Sequence, residues 1–258
     1  MTAPSVLVTG GAKRIGAALC EAFSSAGWHV VIHYRSSREE AEALAARLGN
    51  AETIGFDLAD GDAAVAAMHS LAQRLTDWRA LINCAAVFEN DAVTGLDPRT
   101  YNAAMTVNAR SPVQLAQTFL SEAQSVAGRR VIQLTDMKLE NTNPDFFSYT
   151  MSKHAVAGAI PMLSMARRHP ADRVYGLAPG AILASHDQAR EETEISHRMN
   201  LLHRKTSLGD MCDAALFLAE GHLASGETLF VDSGQHLLDQ PRDVIFLARQ
   251  QAEKKESV

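Results

Sequence analysis

Tyr149 and Lys153 stand four residues apart in YTMSK, and Asp136 lies thirteen residues upstream of the tyrosine, at the end of an apolar run. Four residues is about one helical turn, so a helix over this segment places phenol and ammonium on one face. A phenol with a pKa near 10 is a poor acid–base group at neutral pH. A neighbouring ammonium stabilises the phenolate, so this spacing predicts a tyrosine whose pKa Lys153 lowers and which trades a proton in turnover. The pair alone is weak evidence. Asp136 either joins that chemistry or caps the strand end.

A second group of residues suits phosphate. TGGAKRIG, Thr9 to Gly16, follows the first β-branched run and opens a helical pattern. Gly10 and Gly11 permit a tight turn, Gly16 permits close helix–strand packing, and a helix N-terminus offers free N–H groups to a pyrophosphate. Gly10, Lys13, Arg14, Ile15 and Gly16 are therefore expected at a dinucleotide. An NAD site usually carries an acidic residue about 20 residues beyond the glycines. Here that place reads HYRSSRE, with His33, Tyr34, Arg35 and Ser36 ahead of any carboxylate. Guanidinium and hydroxyl groups suit a 2′-phosphate that an Asp would repel, so the cofactor is expected to be NADP(H). Asp57 ends another strand, where it meets the adenine or caps the next helix, with Leu58 beside it. NCAA (83–86) contributes Asn83 and Ala85, small enough at Ala85 for a cofactor to lie against the backbone.

Elements of alternating type must position these groups. Short β-branched runs (5–9, 29–34, 52–57, 80–85, 129–136, 173–179, 227–232) alternate with helical patterns (14–26, 38–49, 63–75, 98–127, 147–168). That alternation predicts an α/β fold: a single Rossmann-like, doubly wound domain over 1–258, with a seven-stranded parallel sheet and helices on both faces. Pro161 should kink its helix or rest against a shortened hydrogen-bond ladder. Residues 181–206 are polar and weakly patterned, as in a flap over a site, and 237–258 form a C-terminal extension whose PRDVIFLARQ is apolar enough to dock somewhere. The tail AEKKESV is expected to fray.

Composition narrows the function. The 258 residues are 47% hydrophobic and carry a net charge of −6, which gives no basic footprint for nucleic acid or an anionic membrane. Three cysteines, Cys20, Cys84 and Cys212, show no metal-ligand spacing and read as small buried thiols, and no metal is expected. No targeting segment and no run of membrane-spanning length is evident, so the expected location is cytoplasmic.

Together, TGGAKRIG, Asp57, NCAA, Asn108 in MTVNARSP, YTMSK, Pro179-Gly180 and VDSG resemble the short-chain dehydrogenase/reductase family over 5–236. The resemblance implies that Asn108 holds a water relayed to Lys153 and that Pro179 and Gly180 bound the nicotinamide. Three departures stand out: Asp136 where the family usually has Ser, Arg14 where its loop has Gly, and NCAA for NNAG. The branch of pteridine and dihydromonapterin reductases resembles this chain in Arg14, in the HYRSS ending and in Asp136. That branch also implies a Phe stacking on the pterin, and Phe88 in NCAAVFEN has the spacing; packing under the loop is its alternative. It further implies that Arg14 reaches substrate as well as phosphate. Ala86 and Val87 stand where the branch carries a hydroxyl. The expected activity is hydride transfer from NADPH to a C=N bond of a dihydropterin, with Asp136, Tyr149, Lys153 and Asn108 as the catalytic set. A carbonyl reductase is the alternative, and a non-catalytic NADP(H)-binding regulator the second. Family likeness also implies a homotetramer built partly through the helices at 98–127 and 147–168.

Overall fold

The computed structural model describes residues 3–185 and 188–256. Seven parallel strands form one sheet in the order β3-β2-β1-β4-β5-β6-β7. In chain order they are β1 (Ser5–Val8), β2 (His29–Tyr34), β3 (Ala51–Gly55), β4 (Trp78–Asn83), β5 (Arg130–Leu134), β6 (Arg173–Pro179) and β7 (Thr228–Val231). The order reverses between β1 and β4, and the crevice beyond their carboxyl ends is where ligands bind in such sheets.

Strand alternation sends Val6, Val8, Val30 and Ile32 to one face and Leu7, Val31, Leu81 and Val131 to the other. The first face is covered by α1 (Arg14–Ser25), α2 (Arg38–Leu48) and α8 (Leu208–Glu220), through Leu19, Phe23, Leu44 and Leu218. The second is covered by α3 (Gly61–Arg74), α5 (Ser111–Glu122) and α6 (Phe147–Met165), through Met68, Leu71, Phe119 and Leu163. Each fully buried aliphatic side chain contributes about 1.5–3 kcal/mol relative to exposure. The doubly wound sheet expected from the sequence is therefore what forms.

Local detail goes beyond or departs from expectation at four places. The long helix expected over 98–127 is α4 (Pro98–Ala104), a π-helical turn (Met105–Arg110) and α5. Pro112 has no N–H to return to residue 108, which locally removes the regular ladder bond. The turn so formed carries Asn108. Helix α6 continues past Pro161, which sits on its exposed face. The 181–206 flap contains a short helix, α7 (Arg190–Ser196), and its residues 186 and 187 lie outside the described residues. PRDVIFLARQ docks as expected, with Val244, Ile245 and Ala248 buried, and α9 (Val244–Glu256) carries on into the tail, where fraying was expected. Residues 257 and 258 lie outside the described residues. No helix among the described residues is long and apolar enough to cross a membrane.

Candidate active site

Thr9 ties the cofactor end of the cavity together. Its hydroxyl accepts from Cys84 N–H at 2.9 Å and Ala85 N–H at 3.1 Å, joining the end of β1 to the end of β4. Gly10 turns with φ +64°, and a Cβ there would meet Ala85 Cα at 3.0 Å. Its N–H donates to His33 Nδ1 at 3.0 Å, so that donor is spent within the protein. Nε2 of the same ring donates to Phe56 O at 3.1 Å. Burial pulls the His33 pKa down to about 4, which keeps this tautomer neutral.

Gly16 is required by contact: a Cβ there would lie 2.2 Å from Gly10 O. The first helical bond of α1 runs from Ala17 N–H to Lys13 O, so the N–H groups of Arg14, Ile15 and Gly16 precede it and suit a pyrophosphate. Lys13 itself pairs with Glu40 at 2.6 Å. Arg14 holds φ +53°, the region that glycine adopts without cost, and its Nη2 donates to Ala184 O at 3.0 Å. It thereby links the phosphate loop to the start of the flap.

Arg35 and Ser36 are exposed and line the far end of the same cavity, of about 560 Å3. Tyr34 is buried beneath the Arg38 guanidinium, 5.6 Å from the ring centre. Among the described residues, the acidic side chain lining this end is Asp57, which is exposed and accepts from Ala59 N–H at 2.8 Å, with Leu58 buried beside it. The helix cap that Asp57 was expected to supply as its alternative belongs to Asp60, which accepts from Ala63 N–H at 3.0 Å at the start of α3. These groups fit NADP(H): a crowded glycine turn, free N–H groups, and guanidinium with hydroxyl where a 2′-phosphate would lie. Asn83 does not join them. Its amide donates to Gln133 Oε1 at 2.9 Å and Pro112 O at 3.1 Å, beneath the sheet ends and away from the cavity.

At the chemical end Asp136, Tyr149 and Phe88 come together. Tyr149 Oη donates to Asp136 Oδ2 at 2.7 Å, while Asp136 Oδ1 accepts from Lys138 N–H at 3.0 Å. Asp136 thus serves both as the start of a short 3-10 turn and as the tyrosine's partner. Lys153 Nζ donates to Leu134 O at 2.6 Å and lies 5.4 Å from the Tyr149 ring centre. Burial, then the Asp136 charge and hydrogen bond, hold the phenol well above its ordinary pKa. This corrects the expectation that Lys153 lowers it: burial also pulls the Lys153 pKa down, and the Asp136 charge offsets that only in part. Phe88 is 44% exposed, too open for a core residue, and meets the Tyr149 ring edge-on at 4.7 Å and stacks on Phe146 at 4.2 Å.

Asn108 is buried outside the cavity lining. Its Oδ1 accepts from Val87 N–H at 2.8 Å, and its Nδ2 donates to Val87 O at 2.9 Å and Ser152 Oγ at 3.0 Å. It clamps the loop that carries Phe88 to the helix that carries Tyr149. Pro179 and Gly180 line the cavity at the end of β6, where a Cβ on Gly180 would strike Asp232 Cβ at 2.7 Å. Cys20 and Cys212 are buried as expected; Cys84 is half-buried on the cavity wall, its thiol pushed up to about 12 by burial.

Sequence reasoning missed four groups. Thr9 and Ser152 lie within recognised motifs but were assigned no role there. Asp243 and His197 line the cavity from segments with no periodic pattern, and no spacing signal marks them. His197 is 5% exposed and its ring makes no hydrogen bond among the described residues, while burial and Lys205 pull its pKa down. Among the described residues no group of three or more His, Cys, Asp or Glu is placed to hold a metal ion.

Residues 10–236 match the family model described as enoyl-(acyl carrier protein) reductase. A probable galactose dehydrogenase of Rhizobium meliloti is 28% identical over 239 residues, 89% of this chain and 93% of that protein. Pteridine reductase 1 of Leishmania tarentolae is 26% identical, over 92% of this chain and 97% of that one. Among solved structures, FolM alternative dihydrofolate reductase 1 from Brucella canis, complexed with NADP, superposes with a TM-score of 0.86 at 32% identity, covering 93% of this chain and 96% of that one.

Proposed function

The chain belongs to the short-chain dehydrogenase/reductase family and is an NADP(H)-dependent oxidoreductase, and from that premise we propose that it reduces a C=N bond of a dihydropterin. The observation that carries the reading is the Asp136–Tyr149 hydrogen bond, in a cavity where Phe88 offers an open ring. A reductase of simple ketones needs only a neutral hydroxyl to orient a carbonyl oxygen. A pterin presents an amino group and ring nitrogens, and a carboxylate accepts from the first while a proton must reach the second. The likeness to a pteridine reductase and to an alternative dihydrofolate reductase supports the same substrate class. The activity in the family model's description is not carried over, because enoyl reductases space their Tyr and Lys more widely than Tyr149 and Lys153.

Bound NADPH supplies the hydride to the carbon of the C=N bond. The Asp136–Tyr149 pair delivers the proton to the nitrogen and is reprotonated from solvent, so charge and atoms balance. The proton transferred is that of the Tyr149 hydroxyl, which the Asp136 carboxylate orients. Lys153 holds the end of β5 through Leu134 O and supplies the positive charge facing the pair. Phe88 stacks on the pterin, a contact of about 1 kcal/mol. Arg14 and Pro179-Gly180 frame the cofactor, and residues 181–206 exclude water.

Turnover decides between substrates. The expected result is NADPH oxidation with 7,8-dihydromonapterin or 7,8-dihydrobiopterin, abolished by Asp136→Ser. Ketone turnover that survives the same substitution would make the chain a carbonyl reductase, in keeping with its likeness to a galactose dehydrogenase. Tight NADPH binding with neither activity would leave a regulatory role.

The proposal takes 1–258 as one catalytic unit. Its free cysteines suit a reducing cytoplasm. Met151, Met162 and Met165 form an exposed apolar stripe on α6, which supports a homotetramer assembled through that helix. Met162→Glu with Met165→Glu should lower the sedimenting mass; an unchanged mass would remove α6 from the interface.

A further inference from the structure

The substrate end of the cavity is closed by the C-terminal segment, which no motif of the active site announces. Asp243 starts α9, accepting from Ile245 N–H at 3.0 Å through Oδ1. Its Oδ2 lies 2.6 Å from Lys138 Nζ, with the two side chains only 8% and 6% exposed. Lys138 is two residues beyond Asp136. Asp145, just ahead of α6, takes the other half of the joint: it accepts from Arg242 Nε at 2.7 Å and from Asp243 N–H at 2.8 Å. Phe246 extends the Phe88–Phe146 stack at 5.9 Å, and Ile245 packs with Phe146 and Tyr149. Along its outer side α9 packs on α7, where Arg249 lies 3.5 Å from Glu192.

One helix is thus fixed at once to the loop after Asp136, to the entry of the Tyr149 helix, and to the flap. Its first two residues, Val244 and Ile245, line the cavity that Asp136, Tyr149 and Phe88 also line. A buried ion pair is a weak source of stability, because desolvation offsets most of its attraction, and apolar contacts would hold a helix as firmly. What a directional pair adds is one register. Register here decides which side chains of α9 meet the substrate.

We infer that Val244 and Ile245 form the wall that limits the substituent a substrate carries beyond its reacting ring, and that the Lys138–Asp243 pair positions that wall. The choice of probes rests on the pterin reading. The experiment compares kcat and KM for 7,8-dihydrobiopterin, with a short side chain, and 7,8-dihydrofolate, with a long one, alongside NADPH affinity. Ile245→Ala should shift the kcat/KM ratio toward dihydrofolate by about tenfold, and Ile245→Trp should shift it the opposite way, with NADPH affinity unchanged in both. Asp243→Asn should move the ratio as Ile245→Ala does. If that variant does not fold, Lys138→Met combined with Asp243→Leu removes both buried charges together and should still lose the discrimination. A ratio unmoved in both Ile245 variants overturns the inference. A ratio kept by the charge-free pair confines the wall to packing and overturns the positioning role. If the wild-type protein reduces no pterin, the pterin reading falls, and the wall is then read in the same variants with a compact and a bulky ketone.

Discussion

The Tyr149 hydroxyl donates to Asp136 Oδ2 at 2.7 Å, so the phenol's proton points at a carboxylate rather than into open cavity. A tyrosine held this way is a relay partner: its proton is already shared with the carboxylate, and any transfer to substrate passes through that pair. Lys153 does not compete for this role, because its ammonium is directed to Leu134 O at 2.6 Å.

Replacing Asp136 separates the two halves of that relay. Asp136→Ser should leave NADPH affinity within about twofold and reduce pterin kcat by about 10²- to 10⁴-fold, the usual contribution of a positioned acid–base group. Single-turnover absorbance of NADPH measures it. Equal pterin kcat in wild type and variant would remove Asp136 from the chemistry and leave it as the cap of its 3-10 turn.

The raised phenol pKa fixes the direction of a pH effect. Burial first, and Asp136 second, keep Tyr149 protonated in the free protein beyond the ordinary phenol range. The alkaline limb of kcat/KM that Tyr149 governs should therefore lie above pH about 10. Asp136→Asn removes the negative charge and should bring that limb downward. A limb that stays in place would mean that burial alone sets it.

Most of the cofactor end was legible in the sequence, because its demands are local. Gly16 is forced by its contact with Gly10 O, six residues away, and the HYRSS ending sits directly on β2, although the close neighbour of Gly10 is Ala85 at the end of β4. The doubly wound parallel sheet followed from alternation, whereas its strand order comes from the folded chain. The chemical end was legible only in part. Asp136 and Tyr149 meet because one strand and one helix succeed each other, so their spacing carries the information. Asp243 and His197 reach the same cavity from segments whose position depends on tertiary packing against α6 and α7, and periodicity cannot report that. The direction of the Tyr149 shift was misread for the same reason: the sequence shows the nearby lysine, whereas burial and the carboxylate's distance exist only in the folded chain. Asn83 stands in a recognised motif yet turns toward Gln133, a choice set by the partners across β5.

His33 should make stability depend on pH. Its folded pKa is lowered to about 4 from an ordinary 6.5, so between those values the unfolded chain binds more protons. Stability from the neutral ring is complete above pH about 6.5 and is lost as pH falls toward 4. The loss between pH 7.5 and 5 is about 2 kcal/mol by linkage from that shift. Urea unfolding without cofactor at the two pH values measures it. His33→Asn keeps an acceptor for Gly10 N–H and cannot titrate, so its difference between the two pH values should be smaller by that amount. An equal difference in both proteins would assign the slope to carboxylates instead.

Arg14 sets a backbone cost against a contact across the cavity. Its φ of +53° costs a non-glycine residue about 1 kcal/mol, and its bond to Ala184 O contributes about as much. Arg14→Gly relieves the first and loses the second, so the melting temperature should stay within a few degrees of wild type. Cofactor binding should not be spared in the same way. The guanidinium is the link between the loop facing the pyrophosphate and the start of the flap, and its removal frees that flap while withdrawing a positive charge. NADPH affinity should fall about tenfold, the equivalent of 1.4 kcal/mol, measured by fluorescence titration at fixed salt. Equal affinity at equal stability would mean that Arg14 serves the flap alone, and hydrogen exchange over 181–185 would then be the only quantity to change.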